Sequence, residues 1–374
     1  MYIKKIVFSS FPDFSDNCKA LFYSMIEEDI EAKYVWLYSD LSRISTFSNQ
    51  LEFFGIDNIT FIKKNTLRGI FHYLTASFIF TTHGMFEQIP ILPWQKKINL
   101  WHGMPLKTIG SLLPNGKKNK LQLSYTISNG FLFNETICQA FSVKNKKILK
   151  IGSPRNDMLF RQTDFSFQKI FGNKFPTIMW LPTYRKSRVG NIMNDGKFDP
   201  QEIGSLMFSD LEVLNKYCKS IKKNVLIKLH PMDILSENRL LIKKINQLEN
   251  IKLITSQDVI FDSYDLYEIL SKTDGLITDY SSVYFDYILL KKPIGIFADD
   301  KVEYKKNRGL IPEIQKYYTG YNINNLKDLK KFLILSSEEN DKLQKNLSKA
   351  RKGFQTYDAG GKNSVLLLKM INLI

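Results

Sequence analysis

The sequence predicts an α/β protein made of two doubly wound lobes that face each other across a cleft. Two successive series of short apolar segments and helical segments, in residues 3–151 and 177–296, favour a parallel sheet in each lobe. The 374 residues, of which 44% are hydrophobic, are enough for two domain cores. Residues 274–296 show the pattern most clearly, because a strand, a polar turn, an amphipathic helix and a second strand follow one another there.

The predicted elements alternate in the same way in both lobes. Short apolar runs indicate strands, and the longer segments with helical spacing between them indicate helices. Besides the two strands in 274–296, strands are expected at residues 3–9, 34–38, 61–62, 97–101, 147–151, 177–181, 224–229 and 251–254. Helices are expected at residues 18–28, 206–221 and 264–271, and residues 67–80 are predicted as a helix followed by a strand.

The predicted domain limits are 1–165 for the N-terminal lobe, 166–350 for the C-terminal lobe and 351–374 for a C-terminal helical segment. Packing of this segment on the N-terminal lobe is one arrangement open to it. The linker is expected within residues 161–174, where apolar periodicity is weak. The polar segment 186–200 is expected to be a loop that could fold over a ligand.

The formal charge of +16 points to an anionic partner. Lysines occur in short clusters, at 117–120, 144–150, 219–223 and 301–308. An anionic membrane surface, a phosphate-rich substrate or a nucleic acid would explain them, and solvated faces of helices and loops are the alternative.

Composition also argues against several classes of protein and site. No uninterrupted apolar run approaches the length of a membrane span, and no signal-peptide core follows the N-terminus, so a cytoplasmic location is expected. Cys18, Cys138 and Cys218 are far apart and lack metal-ligand spacing, so neither a disulfide nor a zinc site is expected. The motifs contain no obvious acidic metal cage. No metal site and no cofactor are therefore predicted, and metal dependence stays open.

Four predicted strands end in polar signatures. They are WHG at 101–103, PTYR at 182–185, LHP at 229–231 and TDYSS at 278–282. Because the carboxyl ends of parallel strands within a lobe point the same way, these residues can converge on one cleft. Ser281 and Ser282 can cap the helix that follows, beside its unpaired amides, which would suit a phosphate. An ordinary capped helix is the alternative.

The other side chains at these strand ends are suited to handling phosphate. His102 suits a general base and His230 a hydrogen-bond donor to a phosphate oxygen, with a satisfied structural histidine as the alternative for each. Arg185 can bind phosphate through two parallel hydrogen bonds or form a surface salt bridge. Asp279 carries a negative charge, so it is expected to orient a neighbouring group or to accept a sugar hydroxyl.

Together the motifs resemble those of the CDP-glycerol glycerophosphotransferase family of teichoic-acid and capsule synthases. The resemblance covers residues 8–310, with a weaker match at 354–364. Its motifs are FSSFPDFSDNCKALF at 8–22, LWHGMPLKTIG at 100–110, GSPRNDML at 152–159, LPTYR at 181–185, KLHP at 228–231 and ITDYSSVYFDYILLKKPI at 277–294. It implies a GT-B fold of two Rossmann-like lobes, with the acceptor on the N-terminal side and a CDP-alditol donor in the C-terminal lobe.

The resemblance also implies site residues. It makes His102 the base and puts His230, Ser281 and Ser282 on the donor diphosphate, and Arg308-Gly309 resembles the family's RG element. The resulting candidates are His102 and His230 as catalytic residues, Arg185, Thr278, Asp279, Ser281, Ser282 and Arg308 as donor-binding residues, and Lys107 as an acceptor-binding residue. The segment LIPEIQKYYTGYNINN at 310–325 departs from the family's pattern, which leaves the alditol open.

The implied reaction is transfer of an alditol phosphate to a hydroxyl group with release of CMP, and glycerol phosphate is the leading expectation. The reaction is expected at the inner face of the cell membrane. The implied partners are a CDP-alditol donor, a polyprenyl-diphosphate-linked sugar or polyol-phosphate acceptor, and an anionic membrane surface. The length is compatible with a primase-like or compact polymer-forming member. A nucleotide-sugar glycosyltransferase of the same fold is the nearest alternative. A nucleic-acid-binding protein is a different class, which the lack of a recognisable nucleic-acid module disfavours, so no nucleic acid is expected as a partner.

Overall fold

The computed structural model of the chain describes residues 3–41, 44–53, 55–56, 58–113, 121–186, 199–336 and 341–374. The chain forms two compact units. The first unit contains Met1–Met104, Ile109–Arg161 and Gln355–Ile374, and the second contains Pro105–Thr108 and Gln162–Phe354. The lysine cluster at 117–120 and most of the predicted loop at 186–200 lie outside the described residues.

The first unit is built on a parallel sheet. Its strands are β1 (Lys4–Ser9), β2 (Ala32–Tyr38), β3 (Ile59–Lys63), β4 (Phe78–Thr81), β5 (Lys96–Asn99), β6 (Tyr125–Ser128) and β7 (Ile148–Lys150). They lie in the order β3-β2-β1-β4-β5-β6-β7, and all neighbours are parallel. The helices between them are α1 (Asp16–Glu27), α2 (Ile44–Phe53), α3 (Leu67–Leu74) and α4 (Phe131–Phe141).

Aromatic side chains fill one side of this sheet. Phe8 in β1 stacks on Trp36 in β2 and on Phe80 in β4, with ring centroids 5.2 and 5.4 Å apart. Phe22 of α1 meets Phe8 edge-on at 5.8 Å, and Phe47 of α2 packs against Trp36 at 5.3 Å. Strands covered on both faces are apolar along their whole length, which makes them recognisable in the sequence.

The second unit is also built on a parallel sheet. Its strands are β8 (Thr177–Leu181), β9 (Glu202–Ile203), β10 (Leu206–Met207), β11 (Asn224–Lys228), β12 (Ile251–Ile254), β13 (Gly275–Thr278), β14 (Ile294–Phe297) and β15 (Tyr321–Ile323). Strands β9 and β10 form a separate antiparallel pair. The other six lie in the order β12-β11-β8-β13-β14-β15, and all neighbours are parallel.

The remaining helices precede, separate and follow these strands. They are α5 (Gln168–Phe171), α6 (Phe208–Ser220), α7 (Arg239–Asn246), α8 (Ile260–Ser263), α9 (Leu266–Ser271), α10 (Val283–Tyr287), α11 (Lys301–Arg308), α12 (Pro312–Gln315), α13 (Leu326–Leu335), α14 (Asp341–Phe354) and α15 (Asn363–Met370). No helix among the described segments is both long enough and apolar enough to cross a bilayer.

The last helix, α15, belongs to the first unit. The carboxylate of Asp157 accepts hydrogen bonds from the backbone N–H groups of Asn363 and Ser364, each at 2.8 Å. These are N–H groups that the start of a helix leaves without partners in the helix itself. Lys96 Nζ donates to Ile371 O at 2.8 Å just beyond the end of α15. Hydrogen bonds at both ends of α15 therefore attach it to the first unit.

The strand order reverses beside the first strand of each sheet. In the first unit, β2 and β3 lie on one side of β1, and β4 to β7 lie on the other. In the second unit, β11 and β12 lie on one side of β8, and β13 to β15 lie on the other. Open α/β sheets bind ligands beyond the carboxyl ends of the strands at such a reversal. Ligand sites are therefore expected at the ends of β1 and β4 and at the ends of β8 and β13.

Residues 274–296 form the predicted strand, turn, helix and strand, but the amphipathic character predicted for the helix is wrong. Every residue of α10 is buried. Its tyrosines can be buried because their hydroxyl groups have partners within the unit. Tyr284 Oη donates to Thr319 O at 2.7 Å, and Tyr287 Oη lies 2.8 Å from Thr273 Oγ1. The crossover helix is thus part of the core.

Candidate functional site

His102 follows the carboxyl end of β5 in the first unit. Its ring is half-buried, and Nδ1 lies 3.2 Å from the backbone oxygen of Thr82, just beyond β4. A carbonyl oxygen can only accept a hydrogen bond, so Nδ1 carries the proton in this contact. The neutral ring therefore has its lone pair on Nε2, which is the form that a general base requires.

The loop that carries His102 is tied to α1 and to the segment after β7. Asn17 Nδ2 donates to Trp101 O at 2.9 Å, and Arg155 Nη1 donates to the backbone oxygen of His102 at 2.8 Å. Arg155 Nη1 also lies 2.8 Å from Asp16 Oδ1, and these two side chains are only 7% and 14% exposed. Trp101 has a φ of +54°, a left-handed conformation that is costly for a residue other than glycine. The tethers hold the loop in this conformation.

A second histidine lies face to face with His102. The rings of His83 and His102 stack with centroids 4.1 Å and planes 2° apart, and His83 Nδ1 lies 3.0 Å from Thr82 Oγ1. Burial, followed by the charges of His102 and Lys64, lowers the pKa of His83 to about 3. His83 is therefore neutral at physiological pH. His83 is not among the residues predicted from the sequence, although Thr82-His83-Gly84 follows β4 much as Trp101-His102-Gly103 follows β5, and this parallel is a signal for it.

Asp279 joins the ends of β8 and β13 in the second unit. It is 3% exposed, and its carboxylate accepts hydrogen bonds from Thr183 N at 3.1 Å, Thr183 Oγ1 at 2.8 Å and Tyr280 N at 2.7 Å. Its Oδ2 also lies 2.9 Å from Arg185 Nη1. This arrangement fits the first of the two roles that the sequence left open, the orientation of neighbouring groups.

Arg185 lies between two carboxylates. Its Nε and Nη2 donate to Oδ2 and Oδ1 of Asp300 at 2.6 and 3.2 Å, while Nη1 binds Asp279. Burial by itself would lower the pKa of Arg185, but the charges of Asp279 and Asp300 outweigh burial and raise it above its ordinary value. A salt bridge was the alternative role for Arg185. This salt bridge is present, but it is largely buried instead of lying on the surface. The direct contact with phosphate stays a prediction.

Two tyrosine rings extend this ion-pair cluster. Tyr280 and Tyr304 stack at 3.8 Å, and the guanidinium of Arg185 lies 5.4 and 5.3 Å from their ring centres. Tyr280 Oη donates to Asp300 Oδ1 at 2.9 Å. Asp300 follows the end of β14, so the rule that selected the four polar strand ends could also have selected it. Asp300 and Tyr304 are not among the site residues predicted from the sequence.

The hydroxyl groups of the TDYSS turn differ in what they can reach. Thr278 is fully buried, and its Oγ1 donates to Leu181 O at 3.0 Å, so this hydroxyl ties β13 to β8. Ser281 and Ser282 are half-buried. Ser281 Oγ accepts a long hydrogen bond, 3.4 Å, from Val283 N at the start of α10. Ser281 and Ser282 are therefore the hydroxyl groups of this turn that lie nearest to solvent.

His230 follows β11 and is exposed. The backbone N–H of Met232 donates to its Nδ1 at 3.1 Å. Because that N–H can only donate, Nδ1 bears no proton, and the neutral ring carries its proton on Nε2. The ring of Tyr184 lies 4.9 Å from the His230 ring. Asp233 N donates to His230 O at 2.9 Å, and burial raises the pKa of the Asp233 carboxyl to about 6.

Lys107 and Arg308 lie on paired segments of the second unit. Lys107 forms an antiparallel bridge with Leu310, and Thr108 Oγ1 donates to Arg308 O at 2.6 Å. Gly309 has a φ of +78°, and a Cβ there would lie 2.7 Å from Thr108 Oγ1, so this position needs glycine. Leu106-Lys107 of the motif LWHGMPLKTIG is thus paired with the segment that contains Arg308-Gly309.

The side chain of Lys107 reaches the aromatic groups of the cluster. Its Nζ lies 5.5 Å from the ring centre of Tyr304 and 5.9 Å from that of Tyr184, which are cation–π distances. Lys107 therefore lies on the same side of the second unit as Arg185 and His230. In the parts of the chain that the structure describes, no three His, Cys, Asp or Glu side chains are grouped so that they could hold a metal ion.

The two catalytic candidates have opposite tautomers. The main chain accepts from Nδ1 of His102 and donates to Nδ1 of His230. Nε2 of neutral His102 can therefore take a proton, whereas Nε2 of neutral His230 can donate a hydrogen bond. His102 can thus supply a base in the first unit, and His230 can supply an anion-binding donor in the second.

Comparison with solved structures confirms the predicted fold. The wall teichoic acid polymerase TagF has a TM-score of 0.73 at 23% identity, over 99% of this chain and 89% of that one. UDP-GlcNAc 2-epimerase from Neisseria meningitidis, solved with UDP-GlcNAc, has a TM-score of 0.55 at 12% identity over the whole of both chains. The two units are Rossmann-like α/β units of the GT-B class.

Sequence comparison finds relatives among teichoic acid polymerases. The ribitol-phosphate polymerase TarK of Staphylococcus aureus is 26% identical over 325 residues, which are 80% of this chain and 58% of that protein. The poly(glycerol phosphate) polymerase of Bacillus spizizenii is 25% identical over 343 residues, 85% of this chain and 79% of that protein. This chain thus spans a little over half of the first relative and about four fifths of the second.

The family model described as CDP-glycerol:poly(glycerophosphate) glycerophosphotransferase matches residues 2–372. This match covers nearly the whole chain and extends well beyond residues 8–310, on which the sequence motifs depended. It confirms the predicted family. The chain belongs to the CDP-glycerol:poly(glycerophosphate) glycerophosphotransferase family.

Proposed function

We propose that this chain transfers an alditol phosphate from a CDP-alditol to a hydroxyl group and releases CMP, in the synthesis of wall teichoic acid or a capsule. The acceptor is a polyprenyl-diphosphate-linked sugar or a growing polyol-phosphate polymer. The observation that carries the proposal is the pair of opposite histidine tautomers, His102 with its lone pair on Nε2 and His230 with its proton there.

In the proposed reaction, Nε2 of His102 takes the proton of the acceptor hydroxyl. The hydroxyl oxygen attacks the β-phosphorus of the CDP-alditol, and the bond from this phosphorus to the bridging oxygen breaks, so that CMP leaves with the bonding electrons. His230 donates from Nε2 to an oxygen of the diphosphate, where negative charge must be stabilised. The half-buried hydroxyls of Ser281 and Ser282 bind the same group.

The ion-pair cluster supports this donor site. Asp279 binds the ends of β8 and β13 together, and Arg185 holds Asp279 and Asp300. We infer that Arg185 acts mainly by keeping the TDYSS turn in place, and that contacts of Arg185, Arg308 and Lys107 with substrate phosphates add to binding. Buried positioning of this kind reduces the cost of arranging donors around a phosphate.

Glycerol phosphate is the first group to test, and ribitol phosphate is the second. Relatives named for ribitol phosphate and for glycerol phosphate are almost equally similar to this chain, at 26% and 25% identity. The segment 310–325, which departs from the family's sequence pattern, touches the TDYSS turn, because Tyr318 Oη donates to Asp279 O. Selection of the alditol is therefore assigned to this segment.

A basic aromatic edge of the first unit is the proposed membrane surface. It lies at the amino ends of the strands, and it comprises Lys4, Lys5, Lys33, Phe71, Trp94 and Lys96. Phe71 and Trp94 are 58% and 61% exposed, and Lys5 Nζ lies 5.2 Å from the Phe71 ring centre. Cationic and aromatic groups together suit an anionic bilayer surface. This would hold the protein at the inner face of the cell membrane.

Vesicle binding tests the membrane proposal. The protein should sediment with vesicles of phosphatidylglycerol and phosphatidylcholine at low salt and be released by high salt. Phe71→Ser combined with Lys5→Glu should weaken sedimentation at least tenfold, whereas Val302→Ser, which removes a side chain that is 87% exposed in the second unit, should not. Equal sedimentation of all three proteins would remove this surface from the proposal.

Product analysis tests the reaction. The protein is incubated with CDP-glycerol, CDP-ribitol and an undecaprenyl-diphosphate-linked disaccharide or a short polyol-phosphate chain. CMP release with a new phosphodiester is expected, and His102→Ala should lower kcat by about 100-fold or more. Release of a nucleoside diphosphate with a glycosidic bond, from a nucleotide sugar, would support the glycosyltransferase alternative. Near-normal turnover by His102→Ala would remove the base assignment.

A further inference from the structure

Thr82 contacts both His83 and His102. Its backbone oxygen lies 3.2 Å from His102 Nδ1, and its Oγ1 lies 3.0 Å from His83 Nδ1. Thr82 is fully buried and is itself anchored at the end of β1, because its N–H donates to Ser9 O at 3.2 Å and its Oγ1 accepts from Phe11 N at 3.1 Å. The acceptor for His102 Nδ1 therefore has a fixed position in the sheet.

A single hydrogen bond does not fix the orientation of an imidazole ring, because the plane of the ring can still tilt about the axis of that bond. The His83 ring supplies the second constraint, since it lies parallel to the His102 ring at 4.1 Å and covers one of its faces. The Phe11 ring in turn meets His83 edge-on at 5.6 Å. Charged groups near the pair include Lys64 and the Asp16–Arg155 ion pair, and Arg155 binds the backbone oxygen of His102.

We propose that His83 is a positioning residue for His102: its stacked ring and the shared Thr82 hold His102 with Nδ1 protonated on Thr82 O and with the Nε2 lone pair directed to the acceptor hydroxyl. The proposal rests on the proposed function, because it takes His102 as the base. The neutral state of His83 is part of this role, since a charged imidazole stacked on His102 would oppose the charge that His102 gains when it takes the proton.

The chain offers two informative substitutions at this position. His83→Phe keeps a flat ring to stack on His102 but removes both nitrogen atoms. His83→Ala removes the ring as well. If stacking positions His102, His83→Phe should keep most of the wild-type kcat, whereas His83→Ala should lose about 10- to 100-fold in kcat, within the range that general-base catalysis can supply. The KM for the CDP-alditol should change little in either variant.

The tautomer of His102 can be read without any turnover. The chain has only four histidines, so long-range ¹H–¹⁵N spectra of histidine-labelled protein resolve few signals. Wild type and His83→Phe should show a protonated Nδ1 and an unprotonated Nε2 at His102, and His83→Ala should show a mixture of tautomers. The signals of His72 and His230 report whether each variant is folded, because His72 lies in α3 and His230 follows β11 in the second unit.

The outcomes separate this inference from the proposed reaction. An unchanged His102 tautomer and unchanged kcat in His83→Ala would overturn the positioning role. A mixed tautomer in His83→Ala, in a protein whose wild type turns over no CDP-alditol, would uphold the positioning role and overturn the proposed reaction. Equal loss of kcat in His83→Phe and His83→Ala, with the tautomer kept in both, would also overturn the role assigned to stacking.

Discussion

Arg155 Nη1 donates a 2.8 Å hydrogen bond to the backbone oxygen of His102 and lies at the same distance from the Asp16 carboxylate. One guanidinium thus ties the start of α1 to the loop that carries the proposed base. Because Arg155 is buried and the Asp16 side chain is only 14% exposed, removal of Arg155 leaves a carboxylate without its partner in a place that water reaches poorly.

Arg155→Ala should therefore affect both stability and catalysis. The free energy of unfolding should fall by about 3 kcal/mol, the cost of leaving a buried charge unpaired. The kcat should fall more than the KM for the donor changes, because the loop of His102 loses a tether while the second unit is untouched. Urea unfolding and steady-state kinetics of CMP release measure the two effects.

Arg161→Ala is the matched control for Arg155→Ala. Arg161 Nη2 lies 2.5 Å from Glu27 Oε1, but these side chains are 36% and 54% exposed. Exposed ion pairs contribute at most about 1 kcal/mol, so Arg161→Ala should be nearly as stable and as active as wild type. Equal effects of the two substitutions would show that Arg155 has no special connection to His102.

Arg185→Ala should destabilise the second unit and weaken donor binding. Asp279 and Asp300 would both lose the cation that they share, and Asp279 is 3% exposed. A loss of about 3–5 kcal/mol in unfolding free energy is expected. Arg185→Lys should recover only part of it, because an ammonium cannot reproduce the contacts of Nε and Nη2 with Asp300 and of Nη1 with Asp279.

Lys219→Ala provides the control in the same unit. The Lys219–Glu249 pair has a separation of 2.6 Å, as short as that of Arg185 and Asp300, but its side chains are 64% and 56% exposed. Its loss should cost less than about 1 kcal/mol. Calorimetric titration of CDP-glycerol should show weaker binding to Arg185→Ala alone, and unchanged binding would remove the cluster from the donor site.

The sheets could be predicted from the sequence because their strands are buried on both faces. Strands β8 and β12 begin and end where the apolar runs at 177–181 and 251–254 do. Helix α2 and strand β6 were not predicted. Residues 44–53 are mostly polar, and in residues 125–128 threonine and serine alternate with tyrosine and isoleucine. Tertiary contacts therefore outweigh local preference in both segments.

Residues of the candidate site were predictable only where a polar or charged side chain directly follows the end of a strand. That rule selected His102, Arg185, His230 and Asp279. It could not reveal that the Thr278 hydroxyl binds Leu181 O, because sequence does not indicate which face of a short strand end is covered. Nor could it pair Arg185 with Asp300, which is 115 residues away along the chain.

His230→Ala should raise the KM for the CDP-alditol by about tenfold or more, because a hydrogen bond to a charged group contributes about 1.5–3 kcal/mol. His230→Gln should be affected less, since its amide can still donate. Lys216→Gln, which removes an exposed charge from α6, controls for general electrostatic attraction. A KM for His230→Ala that matches Lys216→Gln would contradict a direct contact between His230 and the diphosphate.

Asp233→Asn should change how stability depends on pH. Burial raises the pKa of Asp233 from 3.8 to about 6, so between these values the folded protein holds a proton that the unfolded chain has released. The unfolding free energy of the wild type should therefore fall as pH rises through this window, by about 3 kcal/mol at most for this group, and the loss should be complete above pH 6.

The asparagine side chain of the variant does not ionise, and its amide oxygen can still accept the capping hydrogen bond from Leu235 N. The variant should thus gain on the wild type between pH 4.5 and 7.5 in urea unfolding, since contributions of other groups cancel in the difference. Parallel stability curves for the two proteins would mean that the Asp233 carboxyl ionises at its ordinary pKa in the folded protein.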